Sequence, residues 1–192
     1  VLHFPIFEDT ARRTRAVEVD FVLTPKSLIT VSYDRIAPLE DMLKKCASDK
    51  SCEELFASRT PGHLFAAVMR ELYNFALREL DHIQENINRV EEKVFSLSER
   101  EEEKLLEELS MIRRDVIDFR RAMKPQQSVV ESLLAPGVGL YGAGVRPLLE
   151  GVAGEYWKVW NLLENHSEAV DALYDNNTTI LNIKQNEAMR IL

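Results

Sequence analysis

At Thr60-Pro61-Gly62 the apolar spacing of the chain changes from every second residue to every third, fourth or fifth, and this switch limits the possible folds more than any other feature. Downstream, Leu64, Val68, Leu72, Phe75, Leu80, Ile83, Ile87, Val90 and Val94 form one stripe of a helix reaching Phe95. At 1.5 Å per residue such a helix is roughly 45 Å long. Ser96-Leu97-Ser98 interrupts it, and Ser98-Glu99-Arg100-Glu101 has the form of a capping box. A second stripe follows in Leu105, Leu109, Ile112, Val116, Phe119 and Met123, until Pro125 kinks or ends the helix before Val129 to Leu134. The short link makes 63–134 a long antiparallel helical hairpin.

Upstream, residues 1–62 read as a partial α/β unit. Val17, Val19, Phe21 and Leu23 alternate with Glu18 and Asp20, the period of a half-buried strand. Thr24-Pro25-Lys26-Ser27 turns the chain into the β-branched run Leu28 to Tyr33, and Val1 to Phe7 supplies a third strand. Pro5 lacks a ladder donor and favours an edge or a bulge. One or two short helices are expected between Ile36 and Phe56, with Ser51 as an N-cap for Cys52 to Phe56. The expected class is therefore α+β.

Residues 135–154 hold six of the seven glycines along with Pro136 and Pro147, which predicts a flexible connector. From Glu155 a last helix, opening with Tyr156, Trp157 and Trp160 on its packing face, runs to the end, so that 155–192 is one unit. It stops while still turning apolar, with no Gly, Asn or Pro to end it, and the chain opens on Val1 rather than Met. A longer parent protein is the expectation at both ends. Within this helix, Asp175-Asn176-Asn177-Thr178-Thr179 is a run of poor helix formers. One reading is a turn dividing two helices. The other is a continuous helix, in which Asp175, Thr178, Asn182, Asn186, Met189 and Leu192 share one stripe that passes from oxygen-rich to apolar side chains. Several copies around an axis would make rings suited to a hydrated cation, followed by an apolar constriction that gates by dewetting.

The remaining signals mainly exclude. A formal charge of −8 and a pI near 5.1 leave no concentrated basic footprint for nucleic acid. Cys46 and Cys52, in a polar stretch without a second Cys/His pair, read as reduced, unpaired thiols in a cytosolic protein. No run reaches the roughly 18 apolar residues of a membrane span. Gly137-Val138-Gly139 and Gly142-Ala143-Gly144 lack the Gly-Lys-Ser/Thr that a phosphate cradle needs, and no nucleophile elbow or His-Glu-x-x-His helix is present, so no enzyme is expected. The glutamates Glu99, Glu101, Glu102, Glu103, Glu107 and Glu108 could attract hydrated divalent cations. The simpler reading is a solvated face at a helix N-terminus, where the macrodipole favours negative charge.

Lys184-Gln185-Asn186-Glu187-Ala188-Met189-Arg190-Ile191-Leu192 resembles the Met-Asn-Glu-Val-Met-Lys-Val-Leu motif that leads into the first transmembrane helix of the CorA family of magnesium transport proteins. Val19 to Val31 is similar to that family's strand, turn and returning strand. Leu80 to Val94, with Ile83, Ile87, Glu91, Glu92 and Val94, resembles its first long helix, and Arg113 to Arg121 followed by Pro125 resembles its Leu-Arg-Lys-x-x-x-Pro stretch. The resemblance covers nearly the whole chain. It implies a cytosolic domain with a small mixed sheet and flanking short helices, the long hairpin, and a long C-terminal stalk helix that continues into the membrane. It also implies five copies around a pore at the cytoplasmic face of the inner membrane, held closed by divalent cations between the cytosolic domains. Asp175 matches the acidic ring at the pore mouth and so a hydrated metal ion, Asn186 matches the motif's asparagine, and Met189 and Leu192 match the apolar gate.

The chain departs from the family pattern in places. Gly151 and Gly154 stand where relatives carry carboxylates, Asn74, Asn86 and Asn88 where acids are common, and Gln127 where an arginine is usual. Losing a carboxylate removes charge that compensates a dehydrated Mg²⁺, so the interfacial sensing site implied by the family is weakened. The implied cargo is Mg²⁺, with Co²⁺ or Ni²⁺ as further candidates. The alternatives are the zinc-transport branch of the same superfamily and a soluble helical scaffold pairing through its last helix as a coiled coil. The scaffold requires sustained heptads, which Asp175 to Thr179 interrupts. On the transporter reading, the codons after Leu192 are expected to encode about twenty apolar residues ending in Gly-Met-Asn. Sequencing the gene past Leu192 checks this, and a polar continuation would sink the reading.

Overall fold

A computed structural model describes residues 1–8, 13–52, 59–94 and 99–191, with side-chain placements at 94–103 and 180–191 outside what is described. Three strands, β1 (Leu2–Glu8), β2 (Arg13–Leu23) and β3 (Leu28–Ser32), form a sheet in sequence order. All pairings are antiparallel, with Phe4 opposite Val17 and Val22 opposite Ile29. The parallel member that a mixed sheet requires is absent among the described residues. Pro5 sits in β1, an edge strand, as its missing donor favours. The alternation of β2 holds: Val17 and Val19 are fully buried, Phe21 meets Phe65 edge-on with ring centroids 5.4 Å apart, and Val22 faces out.

Helix α1 (Ala37–Ser48) follows, and a new helical turn begins at 50–52. The capping side chain there is Asp49 rather than Ser51. Its Oδ1 accepts the Ser51 N–H at 2.9 Å, and the rest of the expected Cys52 to Phe56 helix lies outside the described residues. The long helices are α2 (Pro61–Val94, 34 residues) and α3 (Glu99–Met123, 25 residues). Their stripes are buried as the spacing predicts, including Val68, Leu72, Leu80, Ile83, Ile87 and Val90 on α2 and every named α3 position from Leu105 to Met123. Lys93 donates to both carboxylate oxygens of Glu108 at 2.9 and 3.0 Å, tying the two helices near the hairpin tip. The proposed capping box at Ser98 falls outside the described residues.

The glycine-rich stretch departs from expectation. Instead of a flexible connector over 135–154, the chain forms α4 (Gln126–Ser132), α5 (Leu134–Tyr141), a 3₁₀ turn (Ala143–Val145) and α6 (Arg146–Ile191), a single helix of 46 residues. The unit starting at Glu155 therefore begins nine residues early, at Arg146. Pro136 and Pro147 occupy first turns, where a missing N–H costs nothing. Only Gly142, at φ +83°, requires glycine for its backbone angle. Gly137 is buried against Leu149, so it serves close packing.

Arg113 pairs with Asp171 and Arg120 with Glu164, so α6 runs antiparallel to α3 and lies against the hairpin as a third helix. Tyr156, Val159, Leu163 and Val170 are buried there, and the Tyr156 ring packs 6.1 Å from that of Tyr73. Gln126 links α4 to the rest: its Oε1 accepts from the Tyr73 hydroxyl at 2.9 Å, and its amide N–H donates to the His3 carbonyl on β1.

Gly62 marks the tightest approach between α2 and the segment leading into α6. A Cβ there would lie 2.6 Å from Tyr141 Cδ2 and 2.9 Å from Val145 Cγ2. The Tyr141 ring cannot retreat freely, because its hydroxyl donates to the Thr24 carbonyl at 2.8 Å. Gly62→Ala is therefore expected to destabilise the fold by about 1–3 kcal/mol through overpacking, read as a lower urea midpoint with unchanged m. An unchanged midpoint would show that the ring yields without cost.

Candidate functional site

Helix α6 is unbroken through Asp175 to Thr179, so these residues do not form a dividing turn. The two threonines adapt to the helix by back-bonding. Thr178 Oγ1 donates to the Tyr174 carbonyl and Thr179 Oγ1 to the Asp175 carbonyl, both at 2.9 Å. Asp175 and Thr178 lie three apart on an exposed face, whereas Asn177 between them is buried. Asn182, Asn186 and Met189 fall within the same helix, but their side chains, and Leu192 entirely, lie outside the described residues.

The acidic face of α3 is partly engaged. Glu107 is exposed, Glu108 is held by Lys93, and the side chains of Glu101 and Glu102 lie outside the described residues. No group of three or more His, Cys, Asp or Glu side chains is placed to hold a metal among the described residues. Gly151 and Gly154 lie on the outer side of α6, where a Cβ would meet nothing within 4 Å, so both positions have room for larger side chains. Asn74 lines a cleft between α1 and α2 with Arg70 and Arg78, Asn86 lines one between α2 and α3 with Glu107, and Asn88 accepts from Gln84 Nε2 at 2.7 Å. Gln127 donates to Glu131 at 3.0 Å on the surface.

The structure also shows residues whose roles the sequence did not declare. Arg113 pairs with Asp171 at 3.1 Å and covers the Tyr174 ring at 5.2 Å from its centroid. Arg120 lies 3.2 Å from Glu164, donates to Ser167 Oγ at 3.2 Å and covers the Trp160 ring at 5.9 Å. These two arginines, one turn pair apart on α3, clasp the midsection of α6 just before Asp175. Their seven-residue spacing was the available signal. His166, 2% exposed, sits in the same seam with no hydrogen-bond partner on either ring nitrogen. Burial lowers its pKa, opposed by the nearby charge of Asp81. Asp115 caps the Thr14 N–H at 2.7 Å, and burial raises its carboxyl pKa.

A family model described as CorA-like Mg²⁺ transporter protein matches residues 1–192. The chain belongs to the CorA-like family. Among solved structures it is similar to the complete CorA magnesium transporter from Methanocaldococcus jannaschii, at TM-score 0.76 and 17% identity, covering 99% of this chain and 57% of that one. The soluble domain of CorA from the same organism matches at TM-score 0.73 and 15% identity, over 91% of this chain and 66% of that one. The full-length CmaX protein matches at TM-score 0.77 and 15% identity, over 99% and 56%. No curated protein sequence matches. The chain thus spans a little over half the length of the full-length structures it resembles. Among the described residues, no helix is long and apolar enough to cross a membrane.

The α6 seam of this CorA-like chain has a pH dependence of definite sign. The unfolded chain protonates His166 near its ordinary pKa of 6.5, while the folded chain resists the proton. Between the two values the unfolded state binds more protons, so stability rises with pH there. The contribution is complete above about pH 6.5 and is lost as the pH falls below it. Asp115 acts oppositely in the carboxylate range: its raised pKa favours the folded state most at low pH and loses that benefit as the pH rises through the folded value. Thermal melts from pH 7.5 to 5.5 are expected to show a falling Tm in the native chain and a smaller fall in His166→Gln. Equal slopes would remove His166 from this role.

Proposed function

We propose that this chain is the cytosolic portion of a channel-type divalent-cation transporter, with Mg²⁺ as the principal cargo, and that α6 is its stalk and leads toward the pore. The observation that carries the reading is the unbroken α6 with Asp175 and Thr178 on a face that its packing against α2 and α3 leaves exposed. With five copies around an axis, that face supplies a ring of carboxylates and a ring of hydroxyls. A ring of like charge raises the local cation concentration, and Mg²⁺, which sheds water reluctantly, is met through its hydration shell. Asn182 and Asn186 extend the oxygen-rich stripe, and Met189 and Leu192 form the apolar constriction. Transport is passive conduction, at the cytoplasmic face of the membrane.

Support for Mg²⁺ comes from the family match and from the fold shared with the M. jannaschii magnesium transporter. Gly151 and Gly154 lack the carboxylates of an interfacial regulatory site, so sensing by this portion is weak. The test is flux of the full-length protein in liposomes. Asp175→Ala and Asn186→Leu are each expected to reduce Mg²⁺ uptake about tenfold or more, the scale of losing about 1.4 kcal/mol of favourable ion interaction. Unchanged uptake in both would place this stripe off the ion path. Calorimetry of the 192-residue chain with Mg²⁺ should show no better than roughly millimolar binding; micromolar affinity would reveal a regulatory site elsewhere.

A further inference from the structure

One cleft gathers charge of the sign opposite to the rest of the molecule. The chain carries a formal charge of −8, yet an open cleft of about 530 Å³ where the start of β2, α3 and α6 meet is lined by Arg13, Arg113, Arg114 and Arg121 against a single carboxylate, Asp118. The Tyr174 ring of α6 forms a further part of its wall. Arg114 and Arg121 lie seven residues apart on one stripe of α3, with Arg113 beside them. Arg13 comes from far away in sequence, and a buried contact brings it there: Asp115 accepts the Thr14 N–H at 2.7 Å, which fixes the first residues of β2 onto α3. Two of the four guanidiniums are engaged, Arg121 with Asp118 at 2.9 Å and Arg113 with Asp171 at 3.1 Å. Arg13 and Arg114 make no ion pair or hydrogen bond among the described residues.

We propose that this cleft binds a compact polyphosphate anion, the triphosphate group of a nucleotide or of an inorganic polyphosphate. Guanidiniums gathered without enough carboxylate repel one another, and an anion with several negative charges offsets that repulsion. All four cations are arginines. Their planar fork meets two phosphate oxygens at once, where a lysine presents only a point charge. Arg13 and Arg114 supply forks that the fold leaves unused, while Arg113 and Arg121 add their charge from beside them. The volume lies within the roughly 300–1,000 Å³ usual for small-molecule sites. The acidic balance of the chain as a whole selects against larger polyanions: a nucleic acid strand or a negatively charged membrane meets repulsion outside the cleft, whereas a triphosphate is short enough to be held by the arginines alone. Arg113 also belongs to the clasp on α6, so the ligand shares a guanidinium with the contact that seats that helix. The assignment does not depend on the identity of the transported ion.

The test is calorimetry of the 192-residue chain in Mg²⁺-free buffer, with sodium tripolyphosphate, ATP, adenosine and orthophosphate as titrants. Saturable single-site binding of tripolyphosphate is expected, weakening as salt is raised because the arginines are exposed. Arg13→Gln and Arg114→Gln, which leave every ion pair of the described fold intact, are each expected to weaken it about tenfold, the scale of one charged hydrogen bond. Arg146→Gln removes the same charge at the opposite end of α6, roughly 42 Å along the helix from Tyr174, and should keep full affinity. ATP bound more tightly than tripolyphosphate identifies a nucleotide with its base against Tyr174, and equal or weaker ATP binding identifies the inorganic chain. Adenosine should not bind. Absence of saturable tripolyphosphate binding would overturn the proposal, as would orthophosphate binding equally well or all three variants weakening it alike. So would retention of the chain on single-stranded DNA in place of triphosphate binding.

Discussion

Tyr156, Val159, Leu163 and Val170 of α6 are withdrawn from water against the facing stripes of α2 and α3, and the position of everything that follows on α6 depends on that contact. Each such side chain contributes roughly 1.5–3 kcal/mol on burial, more than the exposed ion pairs of the molecule, for which about 0–1 kcal/mol is usual. Burial therefore provides the adhesion, while the flanking arginines determine rotation and register. Arg113 and Arg120 each combine an acidic partner with an aromatic ring, at Asp171 with Tyr174 and at Glu164 with Trp160. A helix rotated by one residue would lose both sets of contacts together.

That seating explains why Asp175 and Thr178 are presented outward. Asn177 lies on the packed side, buried, and its neighbours are turned away from the hairpin by the helical period of 3.6 residues. The run of residues with poor helix propensity persists as helix because the packed turns before it have already met the nucleation cost. The Thr178 and Thr179 hydroxyls bond back to carbonyls four residues earlier instead of competing with the helix. His166 adds a weak point to the same seam, since a buried imidazole without partners tolerates no charge.

The sheet and the glycine-rich segment complete the frame from the other end. Gln126 bonds Tyr73 and His3 at once, so the start of α4 is fixed to both α2 and β1. Tyr141 is held by Thr24 and presses on Gly62, which places the entry into α6 against the start of α2. Packing thus overrides composition between residues 135 and 154. Glycine there permits close approach at Gly137 and a left-handed turn at Gly142, and helix forms around them.

The sequence by itself determined the elements with long, regular patterns. The period-2 run of β2 and the stripes of α2 and α3 were legible because a strand or helix with one buried face must repeat its apolar residues at that face's period. That Asp175 and Thr178 share one face of a helix was legible from their spacing of three. Tertiary structure alone decided where short-range signals conflict with packing or are silent: helix over 135–154, Asp49 rather than Ser51 at the helical turn, and antiparallel pairing of β1 with β2. It alone also decided which polar side chains are spent on the fold. Glu108 is committed to Lys93, and Arg113 and Arg120 to α6. Such pairings join residues distant in sequence or turned together by a single backbone reversal, and no local period records them.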